Sequence, residues 1–126
     1  MRYVSTRGVA PELGFQDVLL AGLARDGGLY VPQAWPRIEA QSIRRFATMS
    51  YAEVAREVLE PFVGDEIARA DLYGMIDDAF ATFRHRAVTP VVQIGASDYV
   101  AELFHGPTLA FKDVAMQLLG RMMDHV

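Results

Sequence analysis

Eleven arginines and a single lysine, Lys112, supply the cations of this chain. A bias toward arginine codons accounts for the ratio but not for where the one lysine stands. It lies in Gly106-Pro107-Thr108-Leu109-Ala110-Phe111-Lys112-Asp113, where a strand-following loop becomes a helix. Arginine would serve there for a simple ion pair. A guanidinium, however, stays protonated and cannot form an imine with an aldehyde. A site that needs a nucleophilic primary amine must keep lysine. A plain surface or ion-pair lysine is the competing reading.

The surroundings bear on that choice. The partial positive charge of a helix N-terminus disfavours an ammonium in the first turn. Partial burial behind Phe104, Leu109 and Phe111 is expected to favour the neutral amine as well. Asp113 acts the other way, since a nearby carboxylate favours the ammonium. Its expected role is to complement the helix dipole, and the alternative is to orient the loop. A phosphate-binding loop of the GxxxxGK[ST] type does not fit. The glycine here is six residues before the lysine and Asp113 follows it, where a carboxylate would repel phosphates.

Other chemistries find little support. There is no cysteine, so disulfides and thiolate metal sites are excluded. His85, His105 and His125 are too scattered for a local ligand motif, and no metal is expected. The net charge is −4, and Arg44-Arg45 and Arg84-His85-Arg86 are isolated clusters. Nucleic-acid binding needs many cations on one surface, so it is not expected. The N-terminus has no apolar signal region, and the longest apolar stretch, 18–24, is too short to span a bilayer. A soluble cytoplasmic protein is the default expectation.

The elements that must position Lys112 follow from periodicity. Residues 2–5 read as a short strand. Phe15, Val18, Leu19, Gly22 and Leu23 mark a helix stopped by Asp26-Gly27-Gly28. Residues 29–31 are extended, and 38–47 form a weaker helix. Ser50-x-x-Glu53 is a capping box. It opens a helix with the stripe Tyr51, Val54, Ala55, Val58, Leu59 and Phe62, ended by Pro61 and Gly64. Leu72, Met75, Ile76, Ala79, Phe80 and Phe83 make another stripe, and both stripes read as packed core. After Pro90, the apolar runs 91–94 and 99–104 are of hairpin strand length. Phe111, Ala115, Leu118, Leu119 and Met122 mark a last helix.

The run Leu103-Phe104-His105-Gly106-Pro107-Thr108-Leu109-Ala110-Phe111-Lys112-Asp113 resembles the lysine motif of threonine synthase. Tyr3-x-Ser5-Thr6-Arg7-Gly8, Asp26 to Pro32, and Ser50-Tyr51 with Pro61-Phe62 resemble that family's N-terminal region. The resemblance covers the whole chain but only the N-terminal portion of the family's usual length. It implies an α/β fold. A mostly helical region, 1–88, leads into the first strand–loop–helix, 89–126, of a tryptophan synthase β-like (fold type II) enzyme. It implies pyridoxal 5'-phosphate as cofactor, held by Lys112 as a Schiff base. The implied reaction converts O-phospho-L-homoserine and water to L-threonine and phosphate. Lys112 would be both anchor and general base. His105 and Thr108 would face the substrate, against the plainer roles of turn residue and helix cap. Arg7 could meet an anionic substrate, though a surface or domain-contact role suits it better.

Family members hold the cofactor phosphate with a glycine-rich loop and meet the pyridine nitrogen with a hydroxyl residue. Both lie beyond this chain, so the isolated chain is expected to be inactive. Two other readings stand beside this one. The first is a threonine-synthase-like phospho-lyase that eliminates phosphate and releases a keto acid. The second is a non-catalytic truncated helical module, whose exposed core faces would promote self-association.

Overall fold

The computed structural model describes all 126 residues, 1–126. Two small antiparallel sheets and five helices follow in the order β1 (Tyr3–Ser5), α1 (Phe15–Ala21), β2 (Tyr30–Pro32), α2 (Ala40–Phe46), α3 (Tyr51–Val63), α4 (Arg69–Phe80), β3 (Val91–Gln93), β4 (Tyr99–Ala101) and α5 (Asp113–His125). β1 pairs with β2 in the register Tyr3↔Pro32, Val4↔Val31 and Ser5↔Tyr30. β3 pairs with β4 as a hairpin, with Val92 opposite Val100. The architecture is thus mixed helix and small sheet.

The first sheet is tied together by Asp26. Its carboxylate accepts the Ser5 hydroxyl at 2.8 Å and the amides of Gly28, Ala10 and Val9 at 2.9, 2.9 and 3.1 Å. Gly28 leaves room for this knot: a Cβ there would run into Ser5 Oγ and lie 3.0 Å from Asp26 Oδ1. Burial pushes the Asp26 carboxyl up. The hydrogen bonds from Ser5, Gly28, Ala10 and Val9 outweigh that and hold it well below the usual carboxylate range. A carboxyl depressed by folding stabilises the native state above its unfolded pKa, about 3.9, and loses that contribution as pH falls through the folded value. Asp26→Asn is therefore expected to lower the melting temperature at neutral pH and to flatten the acid side of the stability curve. Thermal melts between about pH 7 and about pH 3 check this, since the contribution at issue is a proton linkage. An acid slope equal to wild type would count against it.

Helix boundaries depart from the sequence reading in several places, most informatively in α1 and α3. α1 ends at Ala21, a turn earlier than expected, because Gly22 takes φ +66° and its N–H bonds Val18 O. Asp26-Gly27-Gly28 builds the strand corner instead. The start of α1 has no cap of its own. Glu66, 51 residues from Phe15, accepts the Phe15 and Gln16 amides at 2.8 and 3.1 Å. In α3 the capping box forms as expected: Glu53 accepts from Ser50 N at 2.6 Å, and Ser50 Oγ accepts from Glu53 N. Pro61 does not end α3. It sits in the last turn, where a missing N–H costs one bond, and the stop falls at Gly64, φ +66°.

The core lies between α3, α4 and α5. Val63, Leu72 and Ile76 are completely enclosed, with Phe80, Val88, Leu118 and Met122 around them. Tyr51 meets Phe80 edge-on at 4.8 Å. Of the expected α4 stripe, Leu72, Ile76, Ala79 and Phe80 are buried, while Met75 and Phe83 pack half-buried against the core and Phe83 lies past the helix end. The α3 stripe is only half covered. Ala55 is buried, while Val54, Val58, Leu59 and Phe62 line an apolar groove of about 540 Å³ together with α1 and α5. The hairpin strands are shorter than the apolar runs suggested, and all their residues are exposed.

Candidate functional site

The loop 102–112 joins β4 to α5 and carries Lys112 at its end. Lys112 already has helical torsions, φ −64° and ψ −21°, and its carbonyl accepts the Ala115 and Met116 amides at 3.1 and 2.8 Å. Its backbone is therefore fixed by the helix it opens. Its side chain is exposed, forms no ion pair and donates no hydrogen bond within the chain. Within these 126 residues the three aromatic and aliphatic neighbours expected to shield it do not cover it. Phe104, Leu109 and Phe111 are 52%, 54% and 64% exposed, because the loop turns them outward from the α3–α4–α5 core.

Asp113 is buried at 3% exposure beside the exposed lysine. Its carboxylate accepts the Thr108 amide on Oδ2 and the Thr108 hydroxyl on Oδ1, both at 2.8 Å, with Gln117 Nε2 at 3.4 Å. Burial pushes this carboxyl up, and the Thr108, Gln117 and Ala110 hydrogen bonds outweigh that and hold it below the ordinary value. Buried Gly106 presses on the same side chain: a Cβ there would fall on Asp113 Cβ and 2.5 Å from Oδ2. The turn between them carries Leu109 at φ +64°, a left-handed conformation that is uncommon for a residue with a side chain. Leu109 N bonds Gly106 O at 3.2 Å, and Asp113 N bonds Ala110 O at 3.0 Å. Asp113 therefore closes the loop, the less favoured of its two expected roles, because its side chain turns into the loop and is used up there.

The other candidates divide. Thr108 joins Asp113 in the closure: its hydroxyl donates to Asp113 instead of accepting a helix amide as a cap would, and α5 has no side-chain cap. His105 lies with 18% of its side chain exposed, its Nε2 2.7 Å from Glu102 Oε2. Its ring stacks obliquely on His85 at 5.0 Å and Phe104 at 4.6 Å, and its carbonyl accepts the Arg84 amide at 2.9 Å. It has the partners of a bonded turn residue, and its one side-chain hydrogen bond uses Nε2 and leaves Nδ1 without one. Arg7 is elsewhere, with Nη1 on Asp26 O at 2.9 Å in the β1–β2 corner. Glu102 was not singled out from sequence. Only the Glu-x-x-His spacing hints at it, and that spacing means little outside a helix.

The profile of the family described as "Threonine synthase N terminus" matches residues 2–80. The chain belongs to the threonine synthase family. Threonine synthase of Pseudomonas aeruginosa is 54% identical over 126 residues, 100% of this chain and 27% of that protein. Threonine synthase-like 2 of Xenopus laevis is 40% identical, over 99% of this chain and 27% of that protein. The crystal structure of PLP-bound threonine synthase from Brucella melitensis superposes with a TM-score of 0.96 at 64% identity. That match covers 99% of this chain and 27% of that one. The chain thus spans about a quarter of the length of these threonine synthase relatives.

Proposed function

We propose that this chain is the N-terminal part of a cytoplasmic threonine synthase. It would use pyridoxal 5'-phosphate to convert O-phospho-L-homoserine and water to L-threonine and phosphate. The observation that carries the reading is the lone lysine, exposed and unpaired on a fixed helix start, in a chain that matches PLP-bound threonine synthase along 99% of its length. An unpaired primary amine fits an aldehyde cofactor. Bound pyridoxal phosphate supplies an electron sink for carbanionic character at the substrate. Lys112 would hold it covalently at rest and, once freed, move protons at the substrate carbons, while phosphate leaves the γ carbon and water adds at the β carbon. His105 Nδ1 and the Thr108 oxygen lone pairs would offer polar contacts to the substrate. On this reading residues 89–126 begin the cofactor domain of a tryptophan synthase β-like fold, and 1–88 form the helical region before it.

The likeness to threonine synthase-like 2 keeps a second reading in view, a phospho-lyase. Product analysis of the holoenzyme with O-phospho-L-homoserine separates the two. Threonine and phosphate are expected in equal amounts. Phosphate accompanied by a keto acid would favour the phospho-lyase, and no phosphate release would contradict both.

A further inference from the structure

Lys112 and Asp113 are adjacent, yet one is exposed and the other is 3% exposed. At the start of a helix consecutive side chains diverge by about 100°. The carboxylate therefore does not pair with the lysine, and no ion pair joins them. What it does is clamp the backbone five residues upstream. Both of its oxygens are occupied by Thr108, its Cβ is covered by Gly106, and the left-handed Leu109 is held in the turn between. Lys112 is the residue at which this closed loop meets α5. The long lysine stem is flexible, so the backbone direction is what the protein can fix.

We propose that Asp113 is a positioning residue that aims Lys112. By locking the 106–112 loop through Thr108, it sets the direction from which the lysine amine reaches the aldehyde carbon of its cofactor. The inference rests on the reading of Lys112 given above. In the step concerned, the neutral amine adds to the aldehyde carbon. Its two hydrogens leave with the carbonyl oxygen as water, and a C=N bond remains. A misplacement of about 1 Å is enough to cost such a step about 10²-fold.

The test uses the holoenzyme and two readouts besides activity. Borohydride reduction followed by peptide mass measurement gives the fraction of Lys112 carrying cofactor, and hydrogen exchange reads the Thr108 amide. Asn at 113 keeps one acceptor but presents an N–H₂ to a donor of Thr108. Asp113→Asn is expected to cut the trapped fraction at limiting cofactor by about tenfold or more. It should also speed exchange at Thr108 by about tenfold, the loss of one charge-assisted bond. Thr108→Ser keeps the hydroxyl donor and should match wild type in these two readouts, whereas Thr108→Val should lower the trapped fraction and speed the exchange. The same prediction therefore stands on Thr108 if the Asn variant does not fold. Ile76→Val, a core change away from the loop, should leave both readouts unchanged. Equal trapping by Asp113→Asn and wild type would overturn the proposal alone. A wild type that carries no cofactor on Lys112 would overturn the functional reading and this proposal with it.

Discussion

Lys112→Arg is expected to leave the protein folded and to abolish covalent attachment of pyridoxal phosphate. The side chain touches nothing that holds the chain together: it is exposed, unpaired and outside the core. Any fall in melting temperature should therefore come from lost cofactor binding and not from lost contacts of the side chain. The arginine keeps the charge and the length, so any role in ion pairing or solubility would survive. A guanidinium cannot form the imine, and it cannot serve as a base near neutral pH. Loss of anchor and base together should lower turnover by about 10³-fold or more, within the range general acid–base catalysis supplies. Measured kcat and the visible imine absorbance of the purified holoprotein check this. An arginine variant with near wild-type turnover would return Lys112 to the status of a surface cation.

Gly106→Ala should be strongly destabilising for so small a change. The glycine is buried and does not need a positive φ, so the whole effect is steric. The added methyl would fall on Asp113 Cβ and 2.5 Å from Oδ2, and neither is the loose end of a long side chain. Either the loop opens or Asp113 gives up Thr108. Overpacking of this kind costs about 1–3 kcal/mol. The same substitution at Gly74, exposed in α4 with nothing within 4 Å of the added carbon, should stabilise by about 0.5–1 kcal/mol through helix propensity. Thermal or urea unfolding of the pair checks the contrast. Equal and small effects at the two glycines would mean that the loop is not closed on Asp113.

These two residues illustrate how the site was legible. Lys112 stands out in the sequence because arginine has taken every other cationic position. Gly106 and Thr108 are visible as turn residues. Nothing local says that both converge on Asp113, since a turn with a left-handed leucine is not written in residue preferences. The same limit applies to the fold. Ser50 and Glu53 satisfy each other within one turn of chain, so the start of α3 is readable. The cap of α1 comes from Glu66, far along the chain, and no local pattern announces it. Apolar periodicity locates α3 correctly but cannot tell a covered stripe from one that lines an open groove. The hairpin and Phe104, Leu109 and Phe111 mislead in the same way: they are apolar, and they are exposed.

The exposure of Lys112 sharpens what must be measured. An unpaired, accessible amine on a rigid helix start is suited to carry a cofactor, and the claim is covalent. Reducing the holoprotein with borohydride and mapping its peptides by mass addresses it directly. The pyridoxyl label is predicted on the peptide containing Lys112, at near-stoichiometric yield. A label on a lysine of the holoenzyme outside these 126 residues, or none on this peptide while the cofactor remains bound, would contradict the account.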